Sequence, residues 1–259
     1  MTYSSAPRIF RTEAIVLKGY DFGEADRILT FYTPNFGKLR AIAKGVRRTK
    51  SRKAGHLDLF TRSNLLVARG RNLDIVTQAE TIESYRPMRH DLWRVSYAHY
   101  VAELVDNFTA EQLGNYPLYT STVATLRRLA ASPNLELVIR SFELRLLGLT
   151  GYQPQLHRCL ICGSTVAPQV NRFSAKMGGV LCPDCVSSDP SSPAISVDAL
   201  KALRNLQTNE TVMLQMSNLA ETVRREIEQR LQEYIAYRME SRPRSLKFLD
   251  QLRAESIAP

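Results

Sequence analysis

The chain has four cysteines, and they form two Cys-x-x-Cys pairs that nineteen residues separate: Cys159, Cys162, Cys182 and Cys185. A structural zinc ion takes four ligands in a tetrahedron, and two such pairs offer four thiolates on two tight turns. Gly163 follows the second cysteine, where the turn often needs a residue that tolerates a positive φ. Because four thiolates fill every ligand position, the pattern predicts one structural zinc ion rather than a catalytic metal.

Other interpretations of the cysteines stay open. Two disulfide bonds would need an oxidising compartment, but residues 1–11 show neither an apolar core nor the cleavage site of a secretion signal, so we expect a cytoplasmic protein. A redox pair would explain one Cys-x-x-Cys but not two. His157 is near enough in sequence to Cys159 to replace one thiolate, although a solvated histidine beside the turn is the favoured interpretation.

The charge of the chain favours a polyanionic partner. The 259 residues carry a formal net charge of +10, with an isoelectric point near 9.6. Residues 1–86 hold 16 Lys and Arg against 8 Asp and Glu, whereas residues 87–259 hold 19 against 17. Most of the excess therefore lies in the first third. No stretch approaches the roughly 18 apolar residues of a membrane span, so we expect no membrane partner.

Within that third, eight cations fall in sixteen residues with no acid among them: Lys38, Arg40, Lys44, Arg47, Arg48, Lys50, Arg52 and Lys53. Like charges at this density repel one another, and an anionic ligand would relieve the repulsion. Nucleic acid is the favoured ligand, while an acidic protein, a membrane surface or no ligand at all are the alternatives. If about six of these cations contact phosphate, the log–log salt slope on single strands is about −4 to −5.

The first 86 residues predict five short strands, at residues 13–20, 27–33, 38–44, 62–68 and 73–83. Five strands with a longer connection between the third and fourth favour an OB-fold barrel, although an SH3-like barrel or a meander would fit the same pattern. Of Phe31 and Tyr32, one is expected in the core. Phe36 at a turn tip is the stacking candidate for a base, and Arg69 and Arg71 at another turn extend the basic groove.

From residue 88 the apolar period becomes helical, and it predicts helices at residues 92–108, 118–129, 135–147, 197–206, 218–240 and 245–253. Ser196 is the predicted N-cap of the fourth helix. The predicted class is α+β with several domains. These are an OB-fold domain at residues 1–86, a helical domain at residues 87–155 and 194–259, and an inserted four-cysteine zinc finger at residues 156–193.

Catalytic motifs are missing from the sequence. It has no P-loop, no Gly-x-Ser-x-Gly motif, and four scattered histidines. Asp21, Glu24 and Asp26 are a weak candidate for a magnesium site, as in a metal-dependent nuclease, but no second acidic cluster accompanies them. We therefore expect a protein that is not an enzyme. An RNA-binding zinc protein of translation or transcription is the alternative function.

Several short motifs resemble the recombination mediator family RecO. They are residues 23–27 (GEADR), 37–38 (GK), 44–48 (KGVRR), 142–147 (FELRLL) with Gly151 and Pro154 before the cysteines, and 244–249 (RSLKFL). Each motif is short, but together they cover nearly the whole chain in the order typical of the family.

This resemblance implies an N-terminal OB-fold, a helical domain and a zinc-finger domain. It also implies binding of single- and double-stranded DNA, annealing of complementary strands, and a role in DNA damage repair and recombination. The implied protein partners are RecR, single-stranded-DNA-binding protein and, indirectly, RecA. A nucleoid-associated location in the cytoplasm would follow from the same resemblance.

Overall fold

The structure is a computed structural model that describes residues 8–208 and 219–257. Contacts divide the chain into two compact units, residues 1–131 and residues 132–259. The predicted domain boundary at residue 86 falls inside the first unit, because two long helices cluster with the strands that precede them. The division into three domains stays a prediction.

The first unit is built on a closed five-stranded barrel. Its strands are β1 (Ile9–Phe22), β2 (Asp26–Thr33), β3 (Gly37–Ala43), β4 (Arg62–Ala68) and β5 (Asp74–Glu83). They close in the order β1-β2-β3-β5-β4, with β3 and β5 parallel and the other pairs antiparallel. The predicted five-stranded, OB-like barrel is confirmed. The strand β1 is longer than predicted because β4 pairs with its polar first half and β2 with its second half.

Alternation along the strands fills the barrel. Val16 of β1 pairs with Phe31 of β2, which pairs with Leu39 of β3, and these three side chains belong to one buried cluster. Neighbouring residues face outward, since successive side chains of a strand point to opposite faces. Exposed polar residues on the outer face of the barrel therefore follow directly from the apolar alternation that builds its interior.

Three helices follow the barrel in the first unit: α1 (Arg86–Arg89), α2 (Leu92–Phe108) and α3 (Tyr116–Ala131). Asp91 caps α2 by accepting from the backbone N–H groups of Trp93 and Arg94. Tyr32 packs on the outside of the barrel with its ring 6.3 Å from that of Tyr119 in α3. Of the two neighbours, Phe31 belongs to the barrel core, as expected for one of them, and Tyr32 is buried as well because a helix covers the outer face here.

Two glycines fix the turn between β2 and β3 against the segment before α3. Gly37 has a φ of 59°, and a Cβ there would lie 2.1 Å from the carbonyl oxygen of Leu113. A Cβ on Gly114 would lie 2.3 Å from the carbonyl oxygen of Asn35. Since no side chain fits between these backbones, the turn and the segment are held in close contact.

In its described residues, the second unit combines four α-helices with a small sheet. The elements are α4 (Leu135–Leu149), β6 (Asn171–Ser174), β7 (Gly179–Leu181), β8 (Ala194–Ile195), α5 (Val197–Thr208), α6 (Glu221–Arg238) and α7 (Arg244–Ile257). The antiparallel sheet has the order β7-β6-β8. Its strands are two to four residues long, too short for an alternating pattern to predict. In the predicted helix 218–240, residue 218 lies outside the described residues.

Ser196 is the N-cap of α5, as predicted. Its Oγ accepts from the backbone N–H of Ala199, at 3.2 Å. Glu226 of α6 accepts from the backbone N–H and from the hydroxyl of Ser196, at 2.7 and 2.6 Å. In a capping box, the third residue of the helix accepts from the backbone N–H of the N-cap residue. Here a carboxylate from another helix accepts that hydrogen bond, and the local sequence does not show this partner.

The core of the second unit joins the small sheet to α6. The ring of Phe173 in β6 stands edge-on to that of Tyr234, with 5.8 Å between the centroids. The Tyr234 hydroxyl donates to the carbonyl oxygen of Tyr152 at 2.9 Å.

No helix among the described residues is both long enough and apolar enough to cross a membrane.

Candidate nucleic-acid interface and metal centre

The basic segment (residues 44–53) begins the connection between β3 and β4, and its first residues are fixed to the β1–β2 loop. The backbone N–H of Gly45, at a φ of 64°, donates to Oδ1 of Asp26 at 2.7 Å. The backbone N–H of Arg47 donates to the carbonyl oxygen of Ala25 at 2.9 Å. These contacts fix the position of the first residues of the basic segment relative to the barrel.

Most of the predicted DNA-contacting cations are exposed. They are Arg40, Lys44, Arg47, Arg48, Lys50, Arg52, Arg69 and Arg71. Among the described residues, no carboxylate lies within ion-pair distance of Lys44, Arg48, Lys50, Arg52 or Arg71. Their charge is therefore not offset by the fold, and it is available to an external anion.

Arg47 is the exposed cation of the basic segment that does have an acidic neighbour. Its Nε lies 3.2 Å from Oδ2 of Asp21, whose other oxygen accepts from Nε of Arg27 at 3.0 Å. Both partners are well exposed, so the pairs are weak. Asp21 thus has basic partners, and Asp26 accepts from the backbone N–H of Gly45. The only group of three or more candidate metal ligands among the described residues is the cysteine cluster, which leaves the magnesium hypothesis without support.

Two of the predicted cations are used inside the fold. Nζ of Lys38 donates to the carbonyl oxygen of Asp106 at 2.6 Å and lies 3.4 Å from Oδ1 of that residue. Nζ of Lys53 donates to the carbonyl oxygen of Val76 at 3.0 Å, and desolvation by burial lowers its pKa. Both ammonium groups already have internal acceptors and both residues are half-buried, so they are less available to phosphate than the exposed cations. Their contact with DNA stays a prediction.

Phe36 also has a partner inside the fold. Its ring packs on Phe10 with 4.8 Å between the centroids, and the residue is only partly exposed. Arg69 covers the other ring of this pair, 5.0 Å from the centroid of Phe10, and reaches Asp74 at 3.9 Å. The ring of Phe36 is therefore partly packed by its own barrel, and its stacking on a base stays a prediction.

Two aromatic residues that the sequence did not single out are exposed on the barrel. Tyr20 and Phe22, on the outer side of β1, are 50% and 52% exposed. Nη2 of Arg40 donates to the Tyr20 hydroxyl at 3.3 Å, so a cation and a ring lie side by side. We call Tyr20, Phe22, Arg40 and the basic segment the barrel face. The alternation of β1 continues beyond Gly19 and places an aromatic ring at every second residue, and this pattern could have predicted the two exposed rings.

The four cysteine sulfurs lie together in the second unit. All are within 4.8 Å of one another, and the Sγ atoms of Cys162 and Cys182 are 3.8 Å apart. Zinc with four sulfurs at about 2.3 Å requires about 3.8 Å between sulfurs in a tetrahedron. The cysteines form no disulfide bonds, and His157 is outside the cluster. The donor set therefore fits one tetrahedral ion of the kind that thiolates prefer.

The backbone builds the metal centre through two tight turns. Gly163 has a φ of 72°, as the position predicted, and its N–H donates to the carbonyl oxygen of Cys159 at 3.0 Å. Burial pushes the pKa of Cys159 upward, but N–H groups, among them that of Cys182 at 3.4 Å, outweigh it and lower the pKa to about 6. A shared hydrogen bond with Cys182 raises the pKa of Cys185 to about 12. Thiols this close ionise together when a cation offsets their charge.

Comparison with known proteins decides the family. The model described as "Recombination protein O N terminal" matches residues 8–85, and the one described as "Recombination protein O C terminal" matches residues 89–247. The chain belongs to the RecO family. The two matches join between the last strand of the barrel and α2.

Curated relatives in the RecO family cover nearly the whole chain. A protein named DNA repair protein RecO from Roseiflexus sp. (strain RS-1) is 42% identical over 95% of this chain and 87% of its own length. Proteins of the same name from Dehalococcoides mccartyi and Symbiobacterium thermophilum are 37% and 35% identical, each over 95% of this chain and at least 97% of their own length. The resemblance read from the motifs is confirmed.

Proposed function

We propose that this RecO-family chain is a non-enzymatic DNA-repair mediator. It binds single- and double-stranded DNA and anneals complementary strands. With RecR, it helps to load RecA onto DNA that is coated by single-stranded-DNA-binding protein. The observation that carries the proposal is the barrel face, where exposed cations without carboxylate partners lie beside two exposed aromatic rings.

The barrel face suits a polynucleotide for two physical reasons. Lysine and arginine side chains that replace the counterions of phosphates release those counterions, which favours binding at low salt. Aromatic rings stack with bases of any sequence and add about 1–3 kcal/mol for each base. Arg71 at the β4–β5 turn extends the surface, since OB-folds bind oligonucleotides with the face of their second and third strands and with the loops that join strands 1 to 2 and 4 to 5. Lys38 and Phe36 lie outside the barrel face, and Lys53 should contribute least within it, since its ammonium group already has an internal acceptor.

Annealing needs no catalytic group. Two strands repel each other through their phosphates, and cations that neutralise one strand allow its complement to approach. No bond is made or broken, and base pairing supplies the specificity. The proposal therefore asks of the chain only a surface that neutralises phosphate and leaves bases free to pair.

The cysteine centre would hold one structural zinc ion that stabilises the segment between α4 and α5. The four sulfurs supply every ligand, so the ion would have no open position for a substrate. We place the ion in folding and not in DNA chemistry. A cytoplasmic, nucleoid-associated location belongs to the same proposal.

A strand-annealing assay with and without RecR, across a salt series, tests the proposal. We expect annealing to exceed the spontaneous rate, to weaken as salt rises, and to respond to RecR. An annealing rate equal to the protein-free rate at every salt concentration would reject annealing. Competition by an RNA oligonucleotide of the same sequence separates the DNA-repair function from an RNA-binding one. Preference for RNA would favour the latter.

A further inference from the structure

A second polar cleft lies on another flank of the barrel, apart from the barrel face. It has a volume of about 530 Å³ and lies between the outer sides of β1 and β4, the β2–β3 turn and the first turns of α3. Its lining includes Arg11, Arg62, Asn64, Tyr116, Tyr119 and Arg127. The volume falls in the range of small-ligand sites, large enough for a nucleotide.

A partly buried ion pair lines the cleft. Arg62 donates from Nε and Nη2 to Oε2 of Glu13, at 3.1 and 2.6 Å. The Tyr119 hydroxyl donates to the same oxygen at 3.2 Å, and burial raises the pKa of Tyr119 to about 12, so it keeps its proton. The carboxylate of Glu13 is therefore neutralised by its own neighbours, so it does not repel an anion in the cleft that Arg62 lines.

The rim of the cleft carries free charge and a free ring. Arg11 is exposed, and no carboxylate within the described ranges pairs with it. The ring of Tyr116, at the start of α3, is 62% exposed. The positive charge of Arg127 is offset by Glu83, since Nε of Arg127 donates to both carboxylate oxygens at 3.0 and 2.9 Å. Arginine suits phosphate, an exposed ring suits a base, and the two lie on one cleft.

The walls of the cleft are fixed before any ligand arrives. Asn35, in the β2–β3 turn, is held by the close approach of its backbone to Gly114, where no side chain fits. Asn115 caps α3 by accepting from the backbone N–H of Leu118 at 3.0 Å, which fixes the first turn that bears Tyr116. A preformed site loses little entropy on binding.

The cleft and the barrel face lie on different parts of β1. Arg11 pairs with β4, whereas Tyr20 pairs with β2. Nine residues of an extended strand span about 30 Å, so one short stretch of DNA does not contact both places.

We propose that this cleft binds a short stretch of a second single strand, with a phosphate on Arg11 and Arg62 and a base on Tyr116. The inference rests on the proposed function and goes beyond it, because a second site on the same chain would also hold the complement that approaches the first strand. The two flanks of β1 then hold the two strands apart until their bases pair. A glutamate-rich peptide is the competing occupant, and the exposed ring together with the side-chain amides of Asn35 and Asn64 favours the strand.

The test compares the double variant Arg11→Ala/Tyr116→Ala with the full-length wild-type chain. We expect binding of one labelled single strand to stay within about twofold, because the barrel face is intact. The annealing rate at 0.1 M salt should fall at least about tenfold, from loss of one phosphate contact and one stacked base. The matched control is Arg86→Ala/Tyr152→Ala, an exposed arginine and an exposed tyrosine outside the cleft.

A cross-linking experiment identifies the occupant directly. Protein saturated with an unlabelled strand is irradiated with a non-complementary oligonucleotide that carries 5-iododeoxyuridine, and the adduct is mapped. An adduct at Tyr116 supports the cleft. Normal annealing by the double variant with no adduct in the cleft overturns it and leaves the proposed function intact, whereas a wild-type chain that does not anneal overturns the proposed function. A glutamate-rich peptide that binds the wild type but not the double variant, without an adduct, reassigns the cleft to a peptide.

Discussion

The basic segment and the cysteine centre are both clusters of like charge, and they differ in where the opposite charge comes from. In the basic segment the cations point outward from the barrel, and most have no acidic partner among the described residues. In the cysteine centre the four sulfurs turn toward one point, all within 4.8 Å of one another. The first arrangement calls for an extended polyanion, and the second for a single small cation.

This difference shows how geometry separates a binding surface from a structural site. Cations on an exposed connection can follow a long ligand of variable sequence, so each one adds a small, salt-dependent increment. Thiolates on two tight turns can satisfy only one ion, and the ion then contributes to folding as a whole. Removing one member should therefore be graded in the basic segment and abrupt in the cysteine centre.

The largest expected effect comes from breaking the cysteine centre. In Cys162→Ser the zinc content should fall from about one per chain to near zero. The segment between α4 and α5 should then lose its structure, because structural zinc contributes about 10–16 kcal/mol of apparent binding free energy in zinc-finger peptides. Metal analysis measures the first effect, and limited proteolysis followed by mass spectrometry measures the second.

His157→Gln is the matched control for that experiment, since this exposed histidine lies outside the sulfur cluster. It should keep its zinc and its resistance to protease. A wild-type chain with four free thiols and no metal would contradict the zinc assignment. Loss of zinc from His157→Gln would mean that the histidine is a ligand.

The triple variant Arg48→Ala/Lys50→Ala/Arg52→Ala tests whether each cation of the basic segment adds a small increment to DNA binding. Each phosphate contact adds about 0.7 to the salt slope on single strands, so the slope should flatten by about 2 and affinity at 0.1 M salt should fall about 100-fold. The loss should be nearly independent of sequence. Fluorescence anisotropy across a salt series measures both quantities.

Three exposed cations outside the barrel face give the control, Arg86→Ala/Lys201→Ala/Lys247→Ala. This variant has the same change in net charge, so it separates direct contacts from the general field of the protein. Equal losses in the two triple variants would show that binding depends on net charge alone. An unchanged affinity in the first would place the DNA site elsewhere.

The sequence predicted the elements whose signal is local. Alternating apolar residues located the five strands to within a few residues, and the spacing of Cys159, Cys162, Cys182 and Cys185 predicted the sulfur cluster. The strands follow from a period of two, and the cluster from the two tight turns that Cys-x-x-Cys pairs form. Ser196 as an N-cap belongs to the same class.

Features that depend on distant partners could not be predicted in this way. Nζ of Lys38 donates to the carbonyl oxygen of Asp106, 68 residues away in sequence, and the ring of Phe36 packs on Phe10 of β1. The sequence near each residue predicted an exposed side chain, because it does not show a partner that is distant in sequence. Tyr20 and Phe22 were missed for the opposite reason, since an apolar residue in a strand is expected to be buried.

Within the barrel face, Tyr20 tests whether stacking adds to charge. Tyr20→Ala should weaken single-strand binding by about 1–3 kcal/mol and leave the salt slope unchanged, because no cation is lost. Tyr20→Phe keeps the ring and should bind nearly as the wild type does. Anisotropy at one salt concentration measures affinity, and the salt series checks the slope. A Phe variant as weak as the Ala variant would point instead to the hydroxyl that accepts from Arg40.

The smallest expected effect separates two cations of the same segment. Lys50 is exposed, whereas Nζ of Lys53 donates to the carbonyl oxygen of Val76. Lys53→Met keeps the aliphatic stem but leaves that carbonyl without its donor, which should destabilise the fold by about 1 kcal/mol in urea unfolding. DNA affinity should change less than about twofold, against about fivefold for Lys50→Ala at 0.1 M salt.

The pH dependence of unfolding gives a second measure of the same difference. Burial lowers the pKa of Lys53, so between that pKa and its ordinary value of 10.5 the unfolded chain binds more protons than the folded one. The wild type should therefore gain stability as the pH rises through this range, and Lys53→Met should lack that gain. If Lys53→Met instead weakens DNA binding as much as Lys50→Ala does, the ammonium group of Lys53 reaches the phosphates. The distinction between an internal carbonyl acceptor and an external anion would then fail for this part of the barrel.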